Sequence, residues 1–124
     1  MYECPRSAAN GESNYVAVTG PKTMWPGDKS TKCSDIKDGT FNTIMLVEVH
    51  NSGIHWMEPR DLEMPEMSMA VNSPNGAGIS SGHLGGWAHV VFASGQTKVL
   101  KNDTSPKALR AALTIAGGEK EILP

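Results

Sequence analysis

Gly86-Trp87-Ala88-His89-Val90-Val91-Phe92-Ala93-Ser94-Gly95-Gln96-Thr97-Lys98-Val99-Leu100 is the stretch on which the fold turns. Two runs rich in β-branched and aromatic residues, 86–93 and 96–100, flank a Ser94-Gly95 link, which predicts two antiparallel strands joined by a hairpin. Working back along the chain, Thr43-Ile44-Met45-Leu46-Val47-Glu48-Val49 is the strongest single strand. It is apolar on both faces for most of its length, the pattern of a central strand covered on both sides. Tyr15-Val16-Ala17-Val18 predicts a shorter strand, stopped by Gly20-Pro21, and Ile54-His55-Trp56 a brief extended piece. The run 58–64, with a proline at its second position, predicts a helical turn. Ser105-Pro106 has the form of an N-cap followed by proline at the first helical position. Leu109, Ala112 and Leu113 then fall on one helical face, and Gly117-Gly118 is the expected stop. The summed expectation is an α+β fold, a small antiparallel sheet with a C-terminal helix.

At 124 residues the chain has the length of one compact domain, 1–124, and no internal repeat is visible. Lys plus Arg (11) nearly balance Asp plus Glu (13), for a formal charge of -2. That leaves no basic field for a nucleic-acid backbone, so nucleic acid is excluded as a partner. Apolar runs such as 90–93 reach only four residues, far short of a membrane span, so no membrane contact by this segment is expected. Residues 1–5 lack the basic and apolar regions of a secretory signal. The region 67–97 holds no Asp, Glu, Lys or Arg, and within it 72–86 contains five glycines, three serines and a proline. This reads as a long uncharged loop feeding the first hairpin strand.

Cys4 and Cys33 are the only cysteines, and no Cys-x-x-Cys or Cys/His spacing of a zinc or redox site surrounds them. Spacing alone leaves two readings open, a disulfide in an oxidising compartment or two unpaired buried thiols. Glu48 and His50 alternate on one strand face, and His55 follows, a set that would serve acid–base or metal chemistry if the side chains converged. The bland reading is a strand end reaching solvent. His83 and His89 lack an evident third ligand for zinc. Asp28, Asp35, Asp38 and Asp103 lack the spacing of a calcium loop and read as turn caps. No Gly-x-Ser-x-Gly is present, and the glycines at 82–86 lead into a strand, whereas a phosphate cradle leads into a helix. Met64, Met67 and Met69 fit a packing stripe better than a copper(I) site. These comparisons predict no catalytic residues, no metal and no cofactor.

Four blocks in order resemble a known family: Tyr2-Glu3-Cys4-Pro5; Asn14-Tyr15-Val16-Ala17-Val18-Thr19-Gly20-Pro21; Asp35-Ile36-Lys37-Asp38-Gly39-Thr40-Phe41-Asn42-Thr43-Ile44; and His83-Leu84-Gly85-Gly86-Trp87 through Ser94-Gly95. They are similar to the C-terminal head of the planctomycete prepilin-type, type II secretion G-like pseudopilins, once filed as a solute-binding family of unknown function. The tail 109–119 is similar to the family's ending. The family is marked by a histidine, nine residues, then Asp-Gly. Here His83 is kept and Ser94-Gly95 stands in place of Asp-Gly, which favours a role in closing the hairpin over one in binding.

The resemblance implies a pseudopilin-head-like fold and an extracytoplasmic setting, in the periplasm or at the cell surface. The full-length form would be anchored by an N-terminal helix that these residues do not include. It also favours a Cys4–Cys33 disulfide. The expected function is non-enzymatic: protein–protein assembly, with protein partners or further copies of itself in a pilus-like or secretion complex, through the loop 72–86. The alternative is a small-ligand or carbohydrate-binding module in which Trp25 and Trp56 line a shallow pocket. Aromatic side chains exposed together in a concave patch would favour that alternative.

Overall fold

The computed structural model describes residues 11–27, 29–50, 52–55, 57–73, 78–82 and 84–116. Five strands, β1 (Tyr15–Thr19), β2 (Ile44–Glu48), β3 (Leu62–Glu63), β4 (Trp87–Phe92) and β5 (Thr97–Lys101), form one sheet in the order β3-β1-β2-β4-β5. A single α-helix, α1 (Pro106–Leu113), follows, giving the α+β class that the sequence pattern predicts. β1, β2, β4 and β5 pair antiparallel, whereas β3 runs parallel to β1. The sheet is therefore mixed.

Alternation along the strands decides which face is covered. Val16 and Val18 of β1 and Ala88, Val90 and Phe92 of β4 are buried, while the residues between them are half-buried. Val47 pairs with both Val16 and Val90 and is fully buried at the centre of the sheet. Leu109 and Leu113 of α1 join this core, as do Ile54, Met67, Val71 and Ile79 from the connections. Met64 and Met69 pack against it, which makes the methionine stripe a packing element. The opposite face carries Tyr15, Ala17, Leu46, His89, Val91 and Val99, none of them fully buried, and Glu48, which is buried at its end. β2 is thus central within the sheet but covered fully on one side only, because no second layer packs over Leu46 among the described residues.

The hairpin forms where expected, with a different loop. Phe92 N–H donates to Gln96 C=O at 2.8 Å, and Gly95 N–H donates to Phe92 C=O at 2.9 Å. Ala93, Ser94 and Gly95 therefore make a three-residue loop, a type I turn followed by Gly95 at φ 89°, where a residue without Cβ relieves the strain. The run 58–64 is not a helical turn. Leu62 and Glu63 are recruited as β3, with Met64 N–H donating to Thr19 C=O at 2.8 Å and Asp61 Oδ1 accepting from Ala17 N–H at 3.2 Å. Pairing with the outward-facing groups of β1 outweighs the weak local preference for a turn of helix.

α1 begins as predicted, with Ser105 Oγ accepting from Ala108 N–H at 3.5 Å and Pro106 in the first turn. It ends earlier than predicted. Thr114 leaves the helix to bridge Thr23, Ile115 N–H donates to Lys22 C=O, and Asp38 N–H donates to Ile115 C=O. Three tertiary partners thus capture the chain before the glycines at 117 and 118, which lie outside the described residues. No helix among the described residues is long and apolar enough to cross a membrane.

Candidate functional site

Two of the family-like blocks come together at one end of the sheet. Gly39 C=O accepts from Asn42 N–H at 3.1 Å and from Thr43 Oγ at 3.1 Å, and Asn42 Nδ2 donates to Asp38 C=O at 3.0 Å. This tight loop backs onto the hairpin: Ser94 N–H donates to Thr40 C=O at 3.0 Å and Ala93 N–H to Thr43 C=O at 2.8 Å. Ser94 Oγ accepts from Gln96 N–H at 3.4 Å. Asp38 and Gly39 thus hold the loop through Asn42 and Thr43, and Ser94 docks on it through Thr40, closing the β4–β5 turn against the entry to β2. Ten residues, 84–93, lie between His83 and Ser94, one more than the family spacing.

The remaining motif glycines stand at the other end. Gly86, at φ 69°, passes so close to Asn102 that a Cβ there would lie 2.6 Å from Asn102 Nδ2. Asn102 Oδ1 accepts from Asn72 Nδ2 at 2.7 Å, and Asn72 Oδ1 accepts from Ser81 N–H at 2.8 Å. This asparagine pair pins both ends of the loop 72–86, and Ile79 within it is fully buried. Leu84, beside Gly85, projects at 85% exposure. His83 lies outside the described residues.

The acid–base candidates do not meet as expected. Glu48 is buried and faces His89 across β2 and β4: Oε2 accepts from the His89 amide at 2.9 Å and lies 3.3 Å from His89 Nδ1. His50 is held instead through its amide, which donates to Ser80 Oγ at 3.0 Å, and His55 bridges to Glu12. Sequence spacing misses the Glu48–His89 pair because it depends on strand register, the Val47–Val90 pairing one residue away. Among the described residues, no group of three or more His, Cys, Asp or Glu is placed to hold a metal ion. Cys33, the described half of the expected Cys4–Cys33 disulfide, is an exposed free thiol on a short 3-10 turn, Cys33–Asp35. Cys4 lies outside the described residues.

Two surface features carry recognition chemistry. The first is a groove of about 380 Å³ beside β1, lined by Tyr15, Ala17, Thr19, Trp25, Leu46 and Asp61 among others. Trp25 is 39% exposed, yet fixed by its indole N–H donating to Met45 C=O at 2.8 Å and by Gly20 N–H donating to its carbonyl at 3.1 Å. It offers a ring face with its polar edge already occupied. A second hollow of about 420 Å³ adjoins through Thr19 and Gly27 and is walled by Pro21, Pro26, Lys29 and Glu63. Trp56, the expected companion of Trp25, lies outside the described residues; Tyr15 is the aromatic residue that lines the groove beside Trp25 among those described. The alternation of Tyr15, Ala17 and Thr19 was the available signal, since it sends these three to one face.

The second feature is the outer edge of β5. Gln96 and Asn102 are bonded to β4, so Thr97, Val99 and Lys101 point their backbone groups away from the sheet. Among the described residues no strand lies beyond β5. Val99 is 43% exposed, and Thr97 and Lys101 are exposed. No protein-family model, no curated protein and no solved structure matches the chain.

Proposed function

We propose that this chain is a non-enzymatic, pseudopilin-head-like domain of the prepilin-type family it resembles, acting outside the cytoplasm by protein–protein assembly. The observation that supports the reading most is the edge of β5, beyond which no strand lies among the described residues. A five-residue strand with outward-facing amides and carbonyls and an exposed valine is a template for pairing with another chain. Projecting Leu84 adds an apolar contact ahead of β4, and the pinned ends of its loop hold it in place. The test is in-cell photo-cross-linking from a benzophenone amino acid placed at Val99, with Phe41 as the control. Phe41 is 64% exposed but belongs to the loop before β2 and not to the edge of β5. A discrete protein adduct from Val99 and none from Phe41 is expected; no adduct from Val99 overturns the reading.

The groove beside β1 favours a second reading, a small-ligand or carbohydrate-binding module. An immobilised indole face with Tyr15, Thr19 and Asp61 around it suits the apolar face and hydroxyl rim of a neutral sugar. Titrating the protein with a panel of neutral oligosaccharides while following tryptophan fluorescence tests it. Saturable quenching that Trp25→Ala abolishes, with thermal unfolding of that variant still cooperative, is the expected outcome. A flat titration across the panel removes the reading.

A further inference from the structure

We infer that the partner of the β5 edge is a second copy of this chain, joined antiparallel about Val99 into a continuous ten-stranded sheet. The inference rests on the assembly reading and adds to it a partner and a register. Thr97, Val99 and Lys101 are the residues whose backbone groups face outward, so a two-fold axis through Val99 sets Val99 opposite Val99 and Thr97 opposite Lys101. The central valines then exchange both N–H···O bonds. Each Lys101 amide donates to the partner's Thr97 carbonyl. The Lys101 carbonyl accepts from Thr104 N–H at 3.0 Å and from Thr104 Oγ at 2.6 Å and needs no further donor.

Charge and the carbonyls left available select this register. Lysines on an edge normally discourage pairing, and Lys98 and Lys101 are well placed to do so. About Val99, however, Lys98 stands opposite Leu100 and Lys101 opposite Thr97, so no lysine faces a lysine. Sliding one strand by one residue pairs Lys98 with Lys101 in one direction and, in either direction, sets residues whose backbone groups turn toward β4 opposite residues whose groups turn outward. A two-residue shift that centres the axis on Lys98 sets Lys98 opposite Lys98, and one centred on Leu100 pairs Val99 with Lys101, whose carbonyl Thr104 already occupies, so the Val99 amide finds no acceptor. An axis through Thr97 or Lys101 pairs fewer residues. Val99 gains a cross-strand valine partner on the open face, which continues from one copy to the next. α1 packs over β2, the middle strand of the five, and leaves the β5 edge clear.

Register-specific disulfide trapping tests this. In a background with Cys4→Ser and Cys33→Ser, Val99→Cys puts two thiols on facing residues of a hydrogen-bonded pair, a separation a disulfide accepts. Mild oxidation of the whole chain is expected to yield covalent dimer from Val99→Cys, and from an equal mixture of Thr97→Cys with Lys101→Cys. Thr97→Cys alone is expected to stay single. Light scattering of the unmodified chain is expected to approach twice the single-chain mass as concentration rises, and Val99→Pro, which deletes only an outward amide, to hold it at one. Equal trapping of all single-cysteine variants, or a single-chain mass throughout, overturns the inference. In that case a photo-adduct from Val99 to a different protein leaves the assembly reading standing, whereas absence of both removes both.

Discussion

Glu48 replaces a rung of the sheet for His89. Its Oε2 accepts the His89 amide at 2.9 Å, while the Glu48 backbone carbonyl accepts from Ser80 N–H at 2.9 Å. β2 and β4 pair normally through Val47–Val90 and then part, and the chain around Ser80 fills the gap, with Ser81 Oγ donating to Trp87 C=O. A carboxylate with 1% of its surface exposed is costly to bury without bonds to its oxygens, so this arrangement is a structural joint.

Glu48→Ala removes the acceptor and strands a backbone amide at that joint. The expected loss is about 2–4 kcal/mol, read as a fall in the urea midpoint. Glu48→Gln keeps an oxygen in place and is expected to lose less. Equal losses for both would mean that the bond to His89 contributes little.

Ser94→Asp restores the residue that the resembled family carries at the hairpin. An aspartate oxygen can accept from Gln96 N–H as Ser94 Oγ does, so stability is expected to change by no more than ~0.5 kcal/mol. Gly95→Ala, at φ 89°, is expected to cost about 1–2 kcal/mol although open space surrounds the site. Thermal unfolding of the two variants side by side distinguishes a turn motif from a binding one, because new divalent-cation stabilisation of Ser94→Asp would point to binding.

Ser105→Ala removes the helix cap and is expected to cost about 1 kcal/mol, and Ser105→Asp to recover most of it. Chemical denaturation gives the comparison. The effect matters because an eight-residue helix is too short to hold itself and depends on its cap and on the burial of Leu109 and Leu113.

Cys33 is expected to react with a thiol reagent in the native protein, without denaturant, at the rate of an exposed cysteine. A thiol that becomes reactive only after reduction would restore the pairing with Cys4.

Four of the five strands and the start of the helix were legible along the chain. Val16 and Val18, Val47, and the run from Trp87 to Phe92 alternate or cluster as strands do, and Ser105-Pro106 marks a cap by chemistry that acts within one turn. Gly95 marked the hairpin, although not that Ala93 would join its loop. The site was less legible. Trp25 was visible as an aromatic in a turn, but its immobilisation by the Met45 carbonyl is a contact across twenty residues.

What the sequence by itself determined is therefore what local forces decide: which runs extend, where α1 starts, and an α+β class. Only the tertiary structure decided that Leu62 and Glu63 become a parallel edge strand, that Thr114 ends the helix, that Glu48 meets His89 rather than His50, and that no strand lies beyond β5 among the described residues. Each of these turns on backbone groups finding partners far away in the chain. A strand amide or a buried carboxylate takes whichever partner the fold brings within reach, and that choice leaves no periodicity in the sequence.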